Sequence, residues 1–379
     1  MSGIELPEDL LARSAEEAVR RICLHHLEEA RAACGRLDDP ADAEALHDFR
    51  VAVRRLRSQF RGFRDELAAV DKKDIKALRG FQEATGAGRD AEVLLLWLEP
   101  LRPTLAPPHR LGFDWLANRL ETQKTDGYAL ARTEIRKRFE RFAKRLYRRL
   151  ERMDVRIHLL EPSTAPTFAG VLADKIEAHV VELRERLQQA ESIDELEQAH
   201  RARIAGKRLR YLVDPVRPYL PEAKVVTKQC RALQDVLGSL NDAEVLRTHL
   251  ERADHEATAA RAKRLHDVAM RGDEGAIATE ALLSERSGVV ELSRRLRIHL
   301  EELFGQLQRD WQKEGLETLE QATLELTAEL RSAGTQDVEV ERKFLLSALP
   351  DRVRDVRPVH IEQGWLPGKK IRERLRRST

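Results

Sequence analysis

Cysteine, aromatic residues and long apolar runs are scarce in this sequence of 379 residues. Cys23, Cys34 and Cys230 form no Cys-x-x-Cys pair, so we expect no disulfide framework and interpret them as small buried residues in a reducing compartment. The longest dense apolar run, Val93 to Leu98, is far too short to cross a bilayer. The first residues include acids and no apolar signal segment. We therefore expect a soluble, cytoplasmic protein without a membrane span.

Net charge is also nearly absent. The 67 Lys and Arg residues are balanced by 65 Asp and Glu, which leaves a formal net charge of +2. This balance excludes a globally basic nucleic-acid binder, so any cationic site must arise from local concentration. Charged residues make up 35% of the chain and aromatics 5%, a composition typical of long helices. Strand-like alternation is missing before Ser332, and the expected fold class is all-α up to that point.

The segment from Leu46 to Phe63 separates two kinds of side chain onto opposite faces of a predicted helix. The apolar face, expected to join the core, contains Phe49, Val53, Leu56, Phe60 and Phe63. The cationic face contains His47, Arg50, Arg54, Arg57 and Arg61. These five cationic positions fall within an arc of roughly 80°, and no acid lies in that arc to pair with them.

The same pattern returns between Ala199 and Val213. His200, Arg203, Lys207 and Arg210 repeat the spacing of His47, Arg50, Arg54 and Arg57. A second block, residues 78–94, aligns without a gap to residues 230–246, and both blocks contain Asp-Ala-Glu-Val-Leu. We interpret the helical part as an internal duplication of two pseudo-symmetric four-helix bundles, with halves at about residues 6–160 and 167–332.

Glycine and proline predict where the helices end. Breaks are expected around Gly86, at Gly127 and at Gly238, and residues 161–166 are predicted to form a linker. Asp42 is a predicted N-cap for the helix that carries His47. A single long helix is predicted from about residue 287 to residue 331.

A duplication places the two cationic faces in equivalent positions, and the simplest packing puts them opposite each other. Each like pair about 6 Å apart then costs roughly 2–3 kcal/mol at an effective dielectric constant of about 20. The gap is therefore expected to stay hydrated or to hold an anion. Arginine forks and lysine point charges suit phosphate groups. The scarcity of aromatics among these cations disfavours single-stranded nucleic acid, which is usually bound by stacking.

The two histidine segments, HDFRVAVRRLR and HRARIAGKRLRYL, with their following Asp-Ala-Glu-Val-Leu blocks, resemble the two halves of a CHAD domain, the conserved-histidine α-helical domain. The resemblance covers about residues 6–332. It implies two helical bundles around a central basic channel that binds inorganic polyphosphate, without catalysis and without a cofactor. By motif position, the implied ligand-facing residues are His47, Arg50, Arg54, Arg57, His200, Arg203, Lys207 and Arg210. Weaker candidates on the following helices are Lys76, Arg79, Lys228 and Arg231, and Arg55 and Arg208 rank below these sets because they lie on another helix edge.

Residues 333–379 differ in kind. Residues 338–344 alternate with period two, so Glu339, Glu341 and Lys343 share one strand face. Glu-x-Glu-x-Lys followed by Ile-x-Gln-Gly-x-Leu resembles the opening of a CYTH domain, the triphosphate tunnel metalloenzyme fold. That resemblance implies metal binding by the two glutamates and triphosphate binding by Lys343, Arg372 and Arg374. The segment is too short to close the barrel of that fold, so we expect an incomplete β segment without catalysis.

Three functions stay open from the sequence. The favoured one is non-catalytic binding of polyphosphate in a basic channel, with association with polyphosphate granules left open. The second is a metal-dependent triphosphatase that works through the CYTH-like segment, with Glu339 and Glu341 as weak metal candidates. The third is a scaffold whose basic face binds nucleic acid or acidic proteins. The other histidines lack zinc-site spacing, so no zinc centre is expected, and the oligomeric state stays open.

Overall fold

A computed structural model describes residues 6–37, 39, 42, 44–67, 70–160, 165–193, 196–272, 284–334, 361–366 and 373–378. The chain divides into two compact units, Met1–Gln336 and Asp337–Thr379. The first unit contains the segments that carry the two cationic faces.

Helices make up the first unit, as the sequence predicts. They are α1 (Ala15–Arg36), α2 (Glu44–Gly62), α3 (Lys72–Ala84), α4 (Gly86–Leu98), α5 (Pro107–Leu160), α6 (Phe168–Gln188), α7 (Leu196–Val213), α8 (Pro221–Arg271), α9 (Glu285–Trp311) and α10 (Glu314–Gly334). Short 3-10 helices occur at Leu10–Ala12, Glu99–Thr104 and Asp214–Val216. In the described part of the chain, every helix is too short or too polar to cross a bilayer.

Several predicted helix ends are wrong. Gly238 lies inside α8, which continues through it without a break, and α5 likewise continues through Gly127. The break expected around Gly86, by contrast, is present at Thr85, whose hydroxyl donates to the carbonyl of Gln82 at 2.9 Å. A helix tolerates an isolated glycine when its neighbours favour helix, because the cost is only about 1 kcal/mol. The predicted helix at about 287–331 is instead two helices, α9 and α10.

The apolar face of α2 lies in the core, as its periodicity predicts. Its side chains are almost fully buried: Phe49, Val53, Leu56, Phe60 and Phe63. The Phe49 ring centroid lies 4.8 Å from that of Phe139 in α5 and 6.4 Å from that of Phe81 in α3, both in edge-to-face geometry. The Asp42 carboxylate accepts a hydrogen bond from the Ala45 amide at 2.9 Å, which supports the predicted cap. Because this face is buried in the core, the cationic face of α2 is turned away from it.

Helix contacts follow the same order in the two parts of the first unit. Helix α2 packs on α1 and α3, and α7 packs on α6 and α8. Helix α5 packs on α1 and α3, and α10 packs on α6 and α8. An internal duplication predicts such a correspondence. The two parts meet where α2 packs on α7, where α9 packs on α5 and where α6 packs on α1.

The second unit contains a β-hairpin. Strands β1 (Ile361–Leu366) and β2 (Glu373–Ser378) pair antiparallel, with Ile361 opposite Ser378 and Leu366 opposite Glu373. Arg374 belongs to β2 and lies opposite Trp365. Glu339, Glu341, Lys343 and Arg372 lie outside the described residues.

Close packing explains the glycine within α5. A Cβ atom added at Gly127 would lie 2.6 Å from the backbone nitrogen of Gly88 in α4. That distance is shorter than van der Waals contact, and backbone atoms cannot move aside as a side chain can. The glycine pair therefore allows α4 and α5 to approach closely.

We expect Gly127→Ala to lower the free energy of unfolding by about 1–3 kcal/mol, because the added methyl forces α4 and α5 apart. Gly80→Ala is the matched control, since a Cβ at Gly80 in α3 meets no atom within 4 Å. The control is expected to be neutral or to gain up to about 1 kcal/mol from helix propensity. Urea denaturation of both variants measures the difference. Equal losses in the two variants would contradict this explanation.

Candidate anion-binding cleft

Helices α2 and α7 are held side by side by a buried polar link. The Gln59 side chain donates from Nε2 to the Tyr211 carbonyl at 2.7 Å, and Gln59 is only 1% exposed. Close packing continues nearby, where a Cβ atom at Gly62 would lie 3.0 Å from Leu212 Cδ2. These contacts fix the distance between the cationic faces of the two helices.

A cavity of about 410 Å³ lies between the two faces. Its lining residues are Arg50, Arg54, Arg57, Ser58, Arg61, Gly62, Gln82, His179, Ile204, Lys207, Arg208, Tyr211 and Leu212. We call this cavity the basic cleft. Its described lining includes six Arg or Lys side chains and no carboxylate. The two rows of cations therefore face a common space.

Four predicted site residues line the basic cleft: Arg50, Arg54, Arg57 and Lys207. Arg203 and Arg210 do not line it, although both are close enough to Lys207 to repel its charge. Three further lining residues are not among the predicted site residues: Arg208, which lies on a helix edge that ranks low, Arg61 and His179. Arg61 continues the four-residue spacing of the cationic face of α2, so the pattern itself contained that signal. His179 comes from α6, where no local pattern marked it.

Two arginines are oriented by equivalent hydrogen bonds. Arg57 donates from Nη1 to Oε1 of Gln82 at 2.6 Å, and Arg210 donates from Nε to Oε1 of Gln234 at 2.9 Å. Residues 57 and 210, and likewise 82 and 234, occupy corresponding positions in the predicted repeat. Arg50 donates to the Thr85 carbonyl at the junction of α3 and α4. Hydrogen bonds to neutral oxygens hold Arg50 and Arg57 without neutralising their charge, whereas Arg210 also pairs with Asp214.

Repulsion across the cleft changes the titration of its lysine. Burial and, after it, the positive charges of Arg203, Arg54 and Arg210 together lower the pKa of Lys207 to about 7. Burial together with the charge of Arg54 also lowers the pKa of Arg50 and of Arg203. Arg54 of α2 therefore faces the cations of α7 closely enough to repel them.

Carboxylates neutralise only part of this cluster. Arg208 pairs with Glu182 at 3.0 Å, and Arg210 pairs with Asp214 at 3.2 Å. Within the described residues, Arg54, Arg61 and Lys207 have no carboxylate at ion-pair distance. The Nε atoms of Arg57 and Arg203 are buried without a hydrogen-bond partner there. The cleft thus holds positive charge that the described carboxylates leave unneutralised, and an anion would neutralise it.

Two aspartates of the repeated block lie close to these arginines. Burial raises the pKa of Asp90, the neighbouring charge of Arg50 opposes that rise, and the charge of Asp242 adds to it. Asp242 is correspondingly near Arg203 and Lys207, whose positive charges it favours. Neither aspartate lines the basic cleft. They act as partial counter-charges for the arginine at the equivalent position in each half.

The two motif histidines are exposed and do not line the basic cleft. His200 shares a hydrogen bond with Asn241 through Nδ1 at 2.9 Å. It also contributes to a separate cavity whose charged lining includes Glu197, Glu244 and Arg247.

The weaker candidates on the following helices are exposed as well. Lys76 of α3 and Lys228 and Arg231 of α8 are exposed, and Arg79 pairs with Glu83 at 2.6 Å. Arg55, ranked lower, has its guanidinium 3.7 Å from Glu29. None of these five lines the basic cleft.

One group of described side chains has the composition of a metal site: His25, His26 and Glu29 of α1. Glu29 lies 2.9 Å from His26 Nδ1 and 3.5 Å from His25 Nε2. Burial disfavours the charged form of Glu29, but the two histidine contacts outweigh it and hold the pKa of this carboxyl well below its usual range. Arg55 adds a positive charge on the same carboxylate. Hydrogen bonds and charge within the protein account for this cluster. Glu339 and Glu341, the metal candidates from the sequence, lie outside the described residues.

Comparisons with known proteins agree on one family. The CHAD domain model matches residues 18–251, more than half of the chain, and this range contains every residue that lines the basic cleft. The crystal structure of the CHAD domain from the plant Ricinus communis is similar, with a TM-score of 0.57 and 21% sequence identity. The similarity covers 81% of this chain and 96% of that chain, and at this identity it shows the fold. A search of curated proteins finds no match.

We expect Lys207→Met to stabilise the protein by about 1–3 kcal/mol at pH 6, because it removes a buried charge that faces other cations. The folded-state pKa of Lys207, about 7, is below the ordinary value of 10.5, so the unfolded chain holds this proton more tightly. The penalty is therefore constant below pH 7 and falls as pH rises from 7 towards 10.5.

Thermal unfolding of both proteins at pH 6 and pH 9.5 measures this effect. The advantage of the variant should be larger at pH 6. Lys224→Met, on the exposed surface of α8, is the matched control and should change stability by less than about 0.5 kcal/mol. An advantage of Lys207→Met that is equal at the two pH values would contradict the assignment.

Proposed function

Because the chain belongs to the CHAD domain family, we propose that its basic cleft binds inorganic polyphosphate without hydrolysing it. The family is associated with polyphosphate binding. The single observation that carries the proposal is the position of Arg54 and Lys207, which face each other across the cleft without a carboxylate at ion-pair distance in the described chain.

The chemistry of the cleft suits a chain of phosphates. Polyphosphate presents closely spaced negative charges and no bases, so recognition needs positive charge and donors aimed from both sides. Arg50, Arg54 and Arg57 line one side, and Lys207 and Arg208 line the other. Guanidinium groups bind phosphate oxygens with two parallel donors, and the lysine adds a point charge. Tyr211 lines the cleft but is itself buried, which supports charge recognition over base stacking.

Corresponding contacts in the two halves support a duplicated site. The hydrogen bonds from Arg57 to Gln82 and from Arg210 to Gln234 join equivalent positions. A duplication that gave two pseudo-symmetric bundles explains why cations approach the cleft from both α2 and α7. We propose that the remaining predicted site residues outside the cleft contact parts of the polyphosphate chain that extend beyond it. These residues are His47, His200, Lys76, Arg79, Lys228 and Arg231.

Binding without catalysis is the role that we propose for the helical unit. The family match at residues 18–251 lies within this unit and does not include the CYTH-like segment. A triphosphatase, the alternative from the sequence, would instead need Glu339 and Glu341 of the second unit.

We expect the double variant Arg54→Glu and Lys207→Glu to weaken polyphosphate binding at least roughly 100-fold, because each change replaces attraction with repulsion in a partly desolvated site. The matched control is Arg217→Glu with Lys224→Glu, which changes the net charge equally at exposed positions. Affinity is measured by titration calorimetry at fixed salt, with circular dichroism to check the helices. Equal weakening in both double variants would contradict a site in the cleft.

Binding should also depend on pH through Lys207. The anion favours the protonated amine and raises its pKa above the free value of about 7, so binding takes up a proton above pH 7. We expect the affinity to fall as pH rises from 7 to 9. Below pH 7 Lys207 is protonated with or without the anion, so it adds nothing to the pH dependence of binding there. Lys207→Arg keeps the charge at every pH and should flatten this part of the profile. The same slope in the two proteins would exclude Lys207 from the site.

A further inference from the structure

A second concentration of cations lies on the solvent-facing side of α5. Its members recur at intervals of three and four residues and are all exposed: Arg138, Arg141, Arg145, Arg148 and Arg152. On a helix, this spacing places them within an arc of about 80° and spreads them over about 21 Å. We call this row the arginine stripe.

Neighbouring cations on α5 are paired, whereas part of the arginine stripe is not. Lys144 pairs with Glu140 at 3.3 Å, and Arg149 pairs with Asp74 of α3. Arg145, Arg148 and Arg152 have no carboxylate at ion-pair distance within the described chain. Successive members of the stripe are like charges at helical spacing, which destabilises an isolated helix. An anion along the stripe would remove that repulsion.

The corresponding helix of the second half lacks this feature. Helix α10 packs on α6 and α8 as α5 packs on α1 and α3. Residues 132–152 of α5 contain ten Lys or Arg against three Glu, whereas the 21 residues of α10 contain five Glu and one Arg. That arginine, Arg331, already pairs with Asp174 and Glu177. If exposed charges served only to keep these helices solvated, acidic or basic residues would do so equally well. The excess of arginine on α5 therefore indicates that a polyanion binds on this side.

Cations on α3 lie between the basic cleft and the arginine stripe. Arg79 of α3 is close enough to Arg57 of the cleft to repel it. Lys76 is exposed one turn earlier on the same helix. Next to it, Ala77 shares a shallow cavity of about 310 Å³ with Arg138, Arg141 and Arg145. Helix α3 thus lies between the two groups of cations, and Lys76 and Arg79 are its cations there, Arg79 being paired with Glu83.

We propose that the arginine stripe binds the part of a long polyphosphate chain that extends beyond the basic cleft. This inference rests on the proposed function and adds a preference for long chains to it. The stripe is solvent-exposed, so its attraction for a ligand comes chiefly from charge. Phe142, the aromatic residue beside it, is buried in the core and offers no face for base stacking. A phosphate chain without bases therefore fits this surface better than single-stranded RNA does.

The test compares the binding of tripolyphosphate with the binding of long-chain polyphosphate. When tripolyphosphate occupies the cleft, it is too short to reach the arginine stripe as well. We expect Arg145→Glu, Arg148→Glu and Arg152→Glu together to weaken long-chain binding at least roughly tenfold, since three exposed charge contacts are lost. Binding of tripolyphosphate should stay within about twofold, because the cleft is untouched. The salt dependence of long-chain binding should also become less steep. A charge-matched control changes Arg252, Lys263 and Arg271 of α8 to Glu.

The outcomes separate this inference from the proposed function. Loss of long-chain affinity in the stripe variant alone supports the stripe. A stripe variant that binds long-chain polyphosphate as tightly as the α8 control does overturns this inference. The cleft proposal still stands in that case, as long as the variant with Arg54→Glu and Lys207→Glu no longer binds tripolyphosphate. Failure of that cleft variant to lose tripolyphosphate overturns the proposed function. A stripe variant that loses RNA but keeps long-chain polyphosphate overturns the inference in favour of nucleic acid.

Discussion

Repulsion between the cations of α2 and those of α7 is the constraint on which the functional interpretation depends. Each like pair at about 6 Å costs roughly 2–3 kcal/mol. The apolar face of α2 outweighs this cost, because fully burying each large apolar side chain contributes about 1.5–3 kcal/mol and five of them are buried. The Gln59 link to Tyr211 then fixes the separation of the two helices. The fold therefore holds together charges that would otherwise separate, and carboxylates of the chain neutralise only part of them.

Much of this arrangement was predictable because it is encoded locally. The spacing of Phe49, Val53 and Phe60 sets which face of α2 enters the core, and the position of Arg54 on the other face follows from helix geometry. The repeat extended the same reasoning to α7 without any tertiary information. That the cations of α2 face those of α7 was a weaker inference, because it required the two halves to contact each other through these two helices. The contact of α2 with α7 provides that step.

Other features depended on packing that no local pattern contains. His179 reaches the basic cleft from α6, and its position follows from how α6 packs on α7. Arg208 was ranked low by its helix angle, yet the crossing of the helices brings it to the cleft lining. Gly238 looked like a helix end, but the buried residues on either side of it, Leu237 and Leu240, keep α8 continuous. The position of a histidine in a motif, finally, does not determine which cavity it borders, and His200 borders a different one.

Among the four repeated motif positions that begin at His47 and His200, the two segments differ in residue type at one. Arg54 and Lys207 occupy equivalent places in the repeat, but only the lysine can release its proton near neutral pH. Two arginines there would keep the full repulsion whenever the cleft is empty. A lysine relaxes part of that repulsion by deprotonation and regains its charge when an anion arrives. The departure from exact symmetry thus reconciles a stable empty cleft with a strongly cationic filled one, which a perfectly repeated site would not achieve.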